Sequence, residues 1–254
     1  MTSARGVTDW DARSYHRISE IQARWAEQVM ERLELRGDET LLDAGCGSGR
    51  VTARLLELVP EGRVIGVDAS AAMIAEARKV LGDRATLICS DLAALDLDTD
   101  VDAVFSNAVF HWIHDHDRLF ARLAANMRPG AQLVVQCGGA GNVAEFNRHT
   151  RDVILGSRFL RYFEDWDRPW LFSSPEAARA SLERAGFGEV ECWLDERPEP
   201  LDDPREFLRV VCLAPHLPRV PEELRDEFID EVLAALPEPV TIDYVRLNID
   251  AVRK

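Results

Sequence analysis

A short apolar run that breaks into a glycine-rich turn and resumes as an amphipathic segment constrains this chain more than any other stretch. Leu41-Leu42-Asp43-Ala44 leads into Gly45-Cys46-Gly47-Ser48-Gly49-Arg50, after which Val51, Leu55, Leu56 and Val59 recur at helical spacing. Strand, glycine turn and helix, in that order, give the glycines a ligand-binding context. Glycine allows positive φ and lets a ligand reach the main chain with no Cβ in the way. The helix that follows offers N–H groups and the positive end of its dipole to an anionic group. A nucleoside-containing ligand is expected here.

The spacing of the glycines discriminates between ligands. A dinucleotide fingerprint runs G-x-G-x-x-G/A, its third small residue allowing close helix–strand packing. Counting from Gly45 reaches Gly47 in phase but puts Arg50 where that small residue belongs; the chain reads G-x-G-x-G, with Asp43 at the strand end. Leu42-Asp43-Ala44-Gly45-Cys46-Gly47-Ser48-Gly49 resembles the first motif of class I S-adenosylmethionine (SAM)-dependent methyltransferases. The resemblance implies a Rossmann-like α/β fold: seven strands, mostly parallel, an antiparallel last strand, and helices on both faces. It also implies SAM as cofactor, bound at Asp43, Gly45, Cys46 and Gly47.

Later segments extend the match. Arg63–Asp68 reads as the second strand, and Asp68 falls about 20 residues past the turn, where a carboxylate accepts from two ribose hydroxyls. That acid suits NAD and SAM equally. The following Asp68-Ala69-Ser70 with Met73, Ala77 and Arg78 is similar to the family's next helix, with Ser70 as its cap. In the family's arrangement Ala69 belongs to the cofactor-binding set and Met73 covers the adenine; plain core packing explains Met73 as well. After a third strand, Ala85–Cys89, the resemblance gives Asp91 the adenine amino group and Leu92 a backbone N–H to the ring. An Asp after a strand also serves as an ordinary turn cap.

The fourth strand, Val101–Asn107, runs into Ala108-Val109-Phe110-His111-Trp112-Ile113, a second segment similar to the family's. Its residues fall at the carboxyl edge of the sheet, where open α/β sheets bind ligands. Asn107 and Trp112 are assigned to the cofactor, and His111 is nominated as general base should the acceptor need one. His114 and His116 precede a helix rich in Leu119, Phe120 and Leu123; Asp115 and Asp117 read as helix-start charge, and no metal site is expected. Residues 10–33 carry a helical stripe. The resemblance lets this helix close over the cofactor, with Tyr15 and Gln22 reaching the methionine end or the substrate.

At 254 residues the chain suits one domain: a cofactor core at 10–137, continued by 173–202 and 237–250, and two insertions at 139–172 and 203–236. Strand five is expected at Gln132–Cys137, strand six at Glu189–Glu196 and strand seven at Val240–Leu247. The insertions read as a helical lid. The first carries Phe146, Phe159, Tyr162, Phe163, Trp166 and Trp170 beside Arg148, Arg151, Arg158, Arg161 and Arg168, a mixture suited to a small apolar or carboxylate-bearing acceptor. The net charge of −15 argues against a nucleic-acid partner. No run approaches the roughly 18 apolar residues of a membrane span. Five cysteines without a C-x-x-C read as reduced thiols, and a cytoplasmic monomer or homodimer is expected.

The resemblance is nearest to the trans-aconitate methyltransferase-like group. The expected activity is methyl transfer from SAM to a small molecule, with O-methylation of a carboxylate or hydroxyl favoured. An NAD(P)-dependent oxidoreductase is disfavoured by Arg50 and the glycine spacing. A SAM-binding enzyme with another reaction and a protein methyltransferase remain as alternatives.

Overall fold

The computed structural model describes residues 20–254, with side chains from residue 24 onward. Tyr15 lies outside the described residues; Gln22 falls on the first described helix, Glu20–Met30, and its side chain lies outside them too.

β1 (Thr40–Ala44) is buried along its whole length, as a strand covered on both faces must be. Alternation sends Leu41 to one side and Leu42 to the other. β2 (Arg63–Asp68) and β4 (Val101–Asn107) flank β1 in parallel; β3 (Thr86–Cys89) and β5 (Met127–Gly138) continue the sheet outward. β7 (Thr241–Arg253) runs antiparallel between β5 and β6 (Phe187–Pro200), completing the order β3-β2-β1-β4-β5-β7-β6. The order reverses between β1 and β4, and the crevice at such a switch point binds ligands in open α/β sheets. Among the described residues no helix is long and apolar enough to cross a membrane.

The last three strands outrun their expected lengths. β6 bulges between Gly188 and Glu191, with Glu189 at φ 48°, which breaks its alternation. β7 continues through Asn248 and Asp250, polar residues that an apolar-pattern reading ends on. β5 begins at Met127 by pairing with Val101 before a register shift.

One core packs His116–Ala125 and Pro175–Arg184 on the sheet through Phe120, Leu123 and Leu182. The opposite face holds Ala26, Val29 and Leu55. A third cluster belongs to the two insertions, which pack on each other through Phe146, Phe159, Leu213 and Phe228 and on the sheet through Ile242 and Tyr244. Helix Ala144–Gly156 has no cap from its own chain start. Instead Asp243 of β7 accepts from the Glu145 and Phe146 N–H groups at 2.8 and 3.2 Å.

Within that cluster His216 is 2% exposed and ringed by Phe163, Trp166, Trp170 and Phe228. Burial pushes its pKa down to about 3 from 6.5. Below pH 6.5 the unfolded chain binds a proton that the native chain refuses, so stability falls as the pH drops toward 3. At pH 5 this residue alone costs ~2 kcal/mol. Melting temperature is therefore expected to fall between pH 7 and 5, and His216→Phe to flatten part of that slope; an unchanged slope would contradict the burial account.

Candidate active site

The turn after β1 is shaped by close approaches. Gly45 sits at φ +94°, and a Cβ there would come within 2.2 Å of Val109 Cγ2, so only glycine lets the segment after β4 pack on the loop. Gly49 meets Leu81 and Ala77 in the same way, bringing helix Arg50–Leu58 against helix Ala71–Leu81. A Cβ on Gly47, at φ +53°, would meet nothing within 4 Å: this is the open side of the loop.

The loop's N–H groups are largely committed within the chain. Gly45 and Cys46 donate to the Val67 carbonyl at 2.8 and 3.0 Å, Gly49 donates to the Cys46 carbonyl, and Gly47 donates to Asp68 Oδ2 at 2.9 Å. A pyrophosphate needs such amides for its own oxygens, so the cradle fits a nucleoside ligand without phosphates. Asp68 also accepts from the Ser70 N–H through Oδ1 at 2.8 Å. A carboxylate has about four acceptor positions, which leaves capacity for two ribose hydroxyls. Burial raises the Asp68 pKa, while both N–H donors oppose the rise.

Asp43 is buried beneath the turn. It is 2% exposed, accepts the Thr52 hydroxyl at 2.7 Å, and has its pKa raised to about 7 by burial and by Asp68. Through Thr52 it ties β1 to the helix after the loop. Cys46 is buried as well, leaving the Gly47 side of the turn as the approach for a ligand. Ser70 caps its helix by accepting from Met73 N–H, and Met73 is buried in that first turn; Ala69 is exposed. Asp91 is exposed and caps the turn Leu92–Ala94 through Ala93 N–H; Leu92 is buried beneath.

Beyond β4, Asn107 is half-buried at the strand end and Ala108 turns the chain at φ +63°. From Ala108 outward a cavity of about 100 Å³ opens, closed on the far side by the two insertions. Trp112, assigned to the cofactor from sequence, stands on its wall at 6.2 Å from Trp170. His111 lines the wall too. Its Nδ1 accepts from the Gly138 N–H at 3.2 Å, so the proton sits on Nε2 and the imidazole is a neutral donor. Burial, helped by the charge of Arg246, holds its pKa well below the usual value. His116 is committed elsewhere: Nε2 donates to the Phe110 carbonyl at 3.0 Å, and Nδ1 meets the Ser173 hydroxyl at 3.1 Å.

The lid arginines do not face the cavity. Arg148 pairs with Glu145, Arg151 with Asp152 and Arg158 with Glu227, Arg161 lies over Tyr162, and Arg168 is exposed. The cation on the wall is Arg246, 3% exposed and 4.8 Å above the Trp25 ring. It went unnoticed in sequence, although it shares the buried phase of Ile242 and Tyr244 along β7.

Gly45→Ala is expected to displace Val109 and weaken binding of S-adenosylhomocysteine (SAH) at least tenfold while far-UV circular dichroism stays native. Unaltered affinity by calorimetry would contradict the loop geometry.

Comparison with known proteins gives the family. The family model described as a methyltransferase domain matches residues 41–130. A trans-aconitate 2-methyltransferase of Methylobacterium nodulans is 29% identical over 91% of this chain and 90% of its own length. An uncharacterized methyltransferase of Schizosaccharomyces pombe is 32% identical over 78% of each chain. Among solved structures, phosphoethanolamine N-methyltransferase 2 of Haemonchus contortus, complexed with phosphomonomethylethanolamine and SAH, superposes with a TM-score of 0.64 at 18% identity, over 95% of this chain and 56% of that one. With the strand order, the glycine loop and Asp68 in place, the chain belongs to the class I SAM-dependent methyltransferases.

Proposed function

We propose that this methyltransferase esterifies a carboxylate of a small acid held in the aromatic cavity beyond β4. The observation that carries the reading is the pairing of one buried guanidinium, Arg246, with a neutral imidazole donor, His111, on the wall of an otherwise largely apolar cavity. The Gly45–Gly49 turn and Asp68 hold the nucleoside, with Met73, Asp91, Leu92 and Asn107 as further contacts and Tyr15 and Gln22 as candidates from the N-terminal segment. SAM supplies a methyl carbon made electrophilic by its sulfonium.

The chain's own task is alignment and exclusion of water. Placing the attacking oxygen in line and near contact distance supplies most of the acceleration such a displacement needs. A carboxylate is already an anion at neutral pH and needs no base. An alcohol or ammonium acceptor would have to lose a proton, and His111 does not provide a basic nitrogen while Nδ1 holds the Gly138 N–H. The relative from M. nodulans carries the name of an enzyme acting on an acid, trans-aconitate, which agrees with this reading.

Two measurements test it. Methyl label transferred from SAM should be released as methanol by mild alkali, as from an ester; alkali-stable label would overturn carboxylate methylation. The pH profile of kcat/KM should carry no limb between pH 6 and 8 that His111→Gln removes, and that variant, which keeps a donor, should retain kcat within about tenfold. A limb in that range abolished by the substitution would restore the base.

A further inference from the structure

We infer that Asn142 is a specificity-determining residue, whose side-chain NH2 donates to an oxygen of the acceptor beside the Nε2–H of His111. The inference rests on the cavity reading proposed above and adds a second contact to it. Asn142 is 5% exposed and stands on the cavity wall. Its Oδ1 accepts from the Val245 N–H at 2.9 Å. A backbone N–H only donates, so this contact fixes which end of the amide is oxygen and turns the NH2 the other way. The NH2 then comes to Gly138: a Cβ on that glycine would lie 2.9 Å from Asn142 Nδ2 and 2.7 Å from the Phe172 ring. Gly138 also donates its N–H to His111 Nδ1. Three wall residues, His111, Asn142 and Phe172, thus converge on one glycine at the end of β5.

The loop that carries Asn142 holds it still. Gly139 N–H donates to the Val245 carbonyl, Ala140 N–H to the Ser173 carbonyl and Val143 N–H to the Asp243 carbonyl, each at 2.9 Å. Val143, the next residue, sits at φ 49°, in the left-handed region that a β-branched side chain avoids. Such a conformation persists only where the surroundings impose it. Here β7 does so, holding the chain through Val245 before Asn142 and through Asp243 after it. A donor fixed in this way loses little freedom when it binds. Two neutral donors suit an oxygen, which accepts, and oppose an ammonium group, whose hydrogens would meet theirs. Asn142 and His111 therefore select a carboxylate through the direction of their hydrogen bonds.

The test measures calorimetric binding to the SAH-loaded full chain, with cinnamate, trans-aconitate and cinnamylamine as probes. The wild type should bind at least one of the acids, and the better of the two at least tenfold more tightly than the amine. Binding of neither acid, or an amine bound as tightly, would overturn the inference. Asn142→Asp keeps an oxygen for the Val245 N–H and replaces the NH2 with an acceptor, so it should lower the acid-to-amine affinity ratio at least 100-fold. Asn142→Ala, which removes the amide and adds no charge, should weaken the acid at least tenfold, and it decides alone should the first variant fail to fold. In both, SAH affinity should stay within threefold of the wild type. An unchanged ratio, an unchanged acid affinity, or an equal loss of acid and SAH would overturn the inference. Failure of the ester reading separates cleanly. Alkali-stable label in the wild type, with both variants behaving as expected, defeats esterification and leaves Asn142 in its role; alkali-labile label with unaltered binding in the variants does the reverse.

Discussion

The Asp68 carboxylate, pinned by two backbone N–H groups, fixes the geometry on which the rest of the site depends. One oxygen holds Gly47 and the other holds Ser70, so the end of β2 ties together the glycine turn after β1 and the cap of the next helix. With the Gly47 N–H turned toward Asp68 and those of Gly45 and Cys46 toward Val67, the loop is set before any ligand arrives. Preorganisation of this kind lowers the ordering cost of binding. The close approach of Val109 to Gly45 carries the same constraint across the switch point to β4, and so to the mouth of the acceptor cavity.

The insertions build the second half of the site on a core of their own. Phe159 and Phe228 join them, Asp243 caps the first helix from β7, and Leu171 N–H donates to the His111 carbonyl at 2.7 Å. The roof is thereby attached at both ends of the cavity, to the segment after β4 and to the last strand. Its charged side chains turn toward partners outside the cavity and its rings turn inward. Among the described residues on the cavity wall, Arg246 carries charge and His111 is a neutral donor. The same burial that keeps His111 uncharged lowers the pKa values of His116 and His216, so the features that shape the cavity also make the fold sensitive to acid.

The sheet was legible because its central strands are apolar runs bounded by turns, and because motif residues such as Asp68 and Asn107 mark their carboxyl ends. β6 and β7 were legible only in part, since Glu189 at positive φ and the buried polar pair Gln136–Asn248 break the pattern that signals a strand. Ser70 announced its helix cap locally and the cap is formed, while Asp115, expected only as helix-start charge, also caps its helix. Roles set by long-range contact were not legible. That Asp43 accepts from Thr52 beneath the loop, and that His111 Nδ1 accepts from the Gly138 N–H, are contacts no local pattern announces. Arginines dense in sequence at 148–168 drew attention that belonged to Arg246, a single cation in the buried phase of a distant strand.

The measurement nearest the centre of the account is a calorimetric titration of SAH into the wild type and Asp68→Asn. The substitution keeps the shape but replaces an acceptor oxygen with an NH2 group facing N–H and hydroxyl donors. The account predicts one site per chain in the wild type and a loss of at least tenfold in affinity in the variant, with the melting transition retained. Equal affinity in the two proteins, or no binding by a folded wild type, would contradict it.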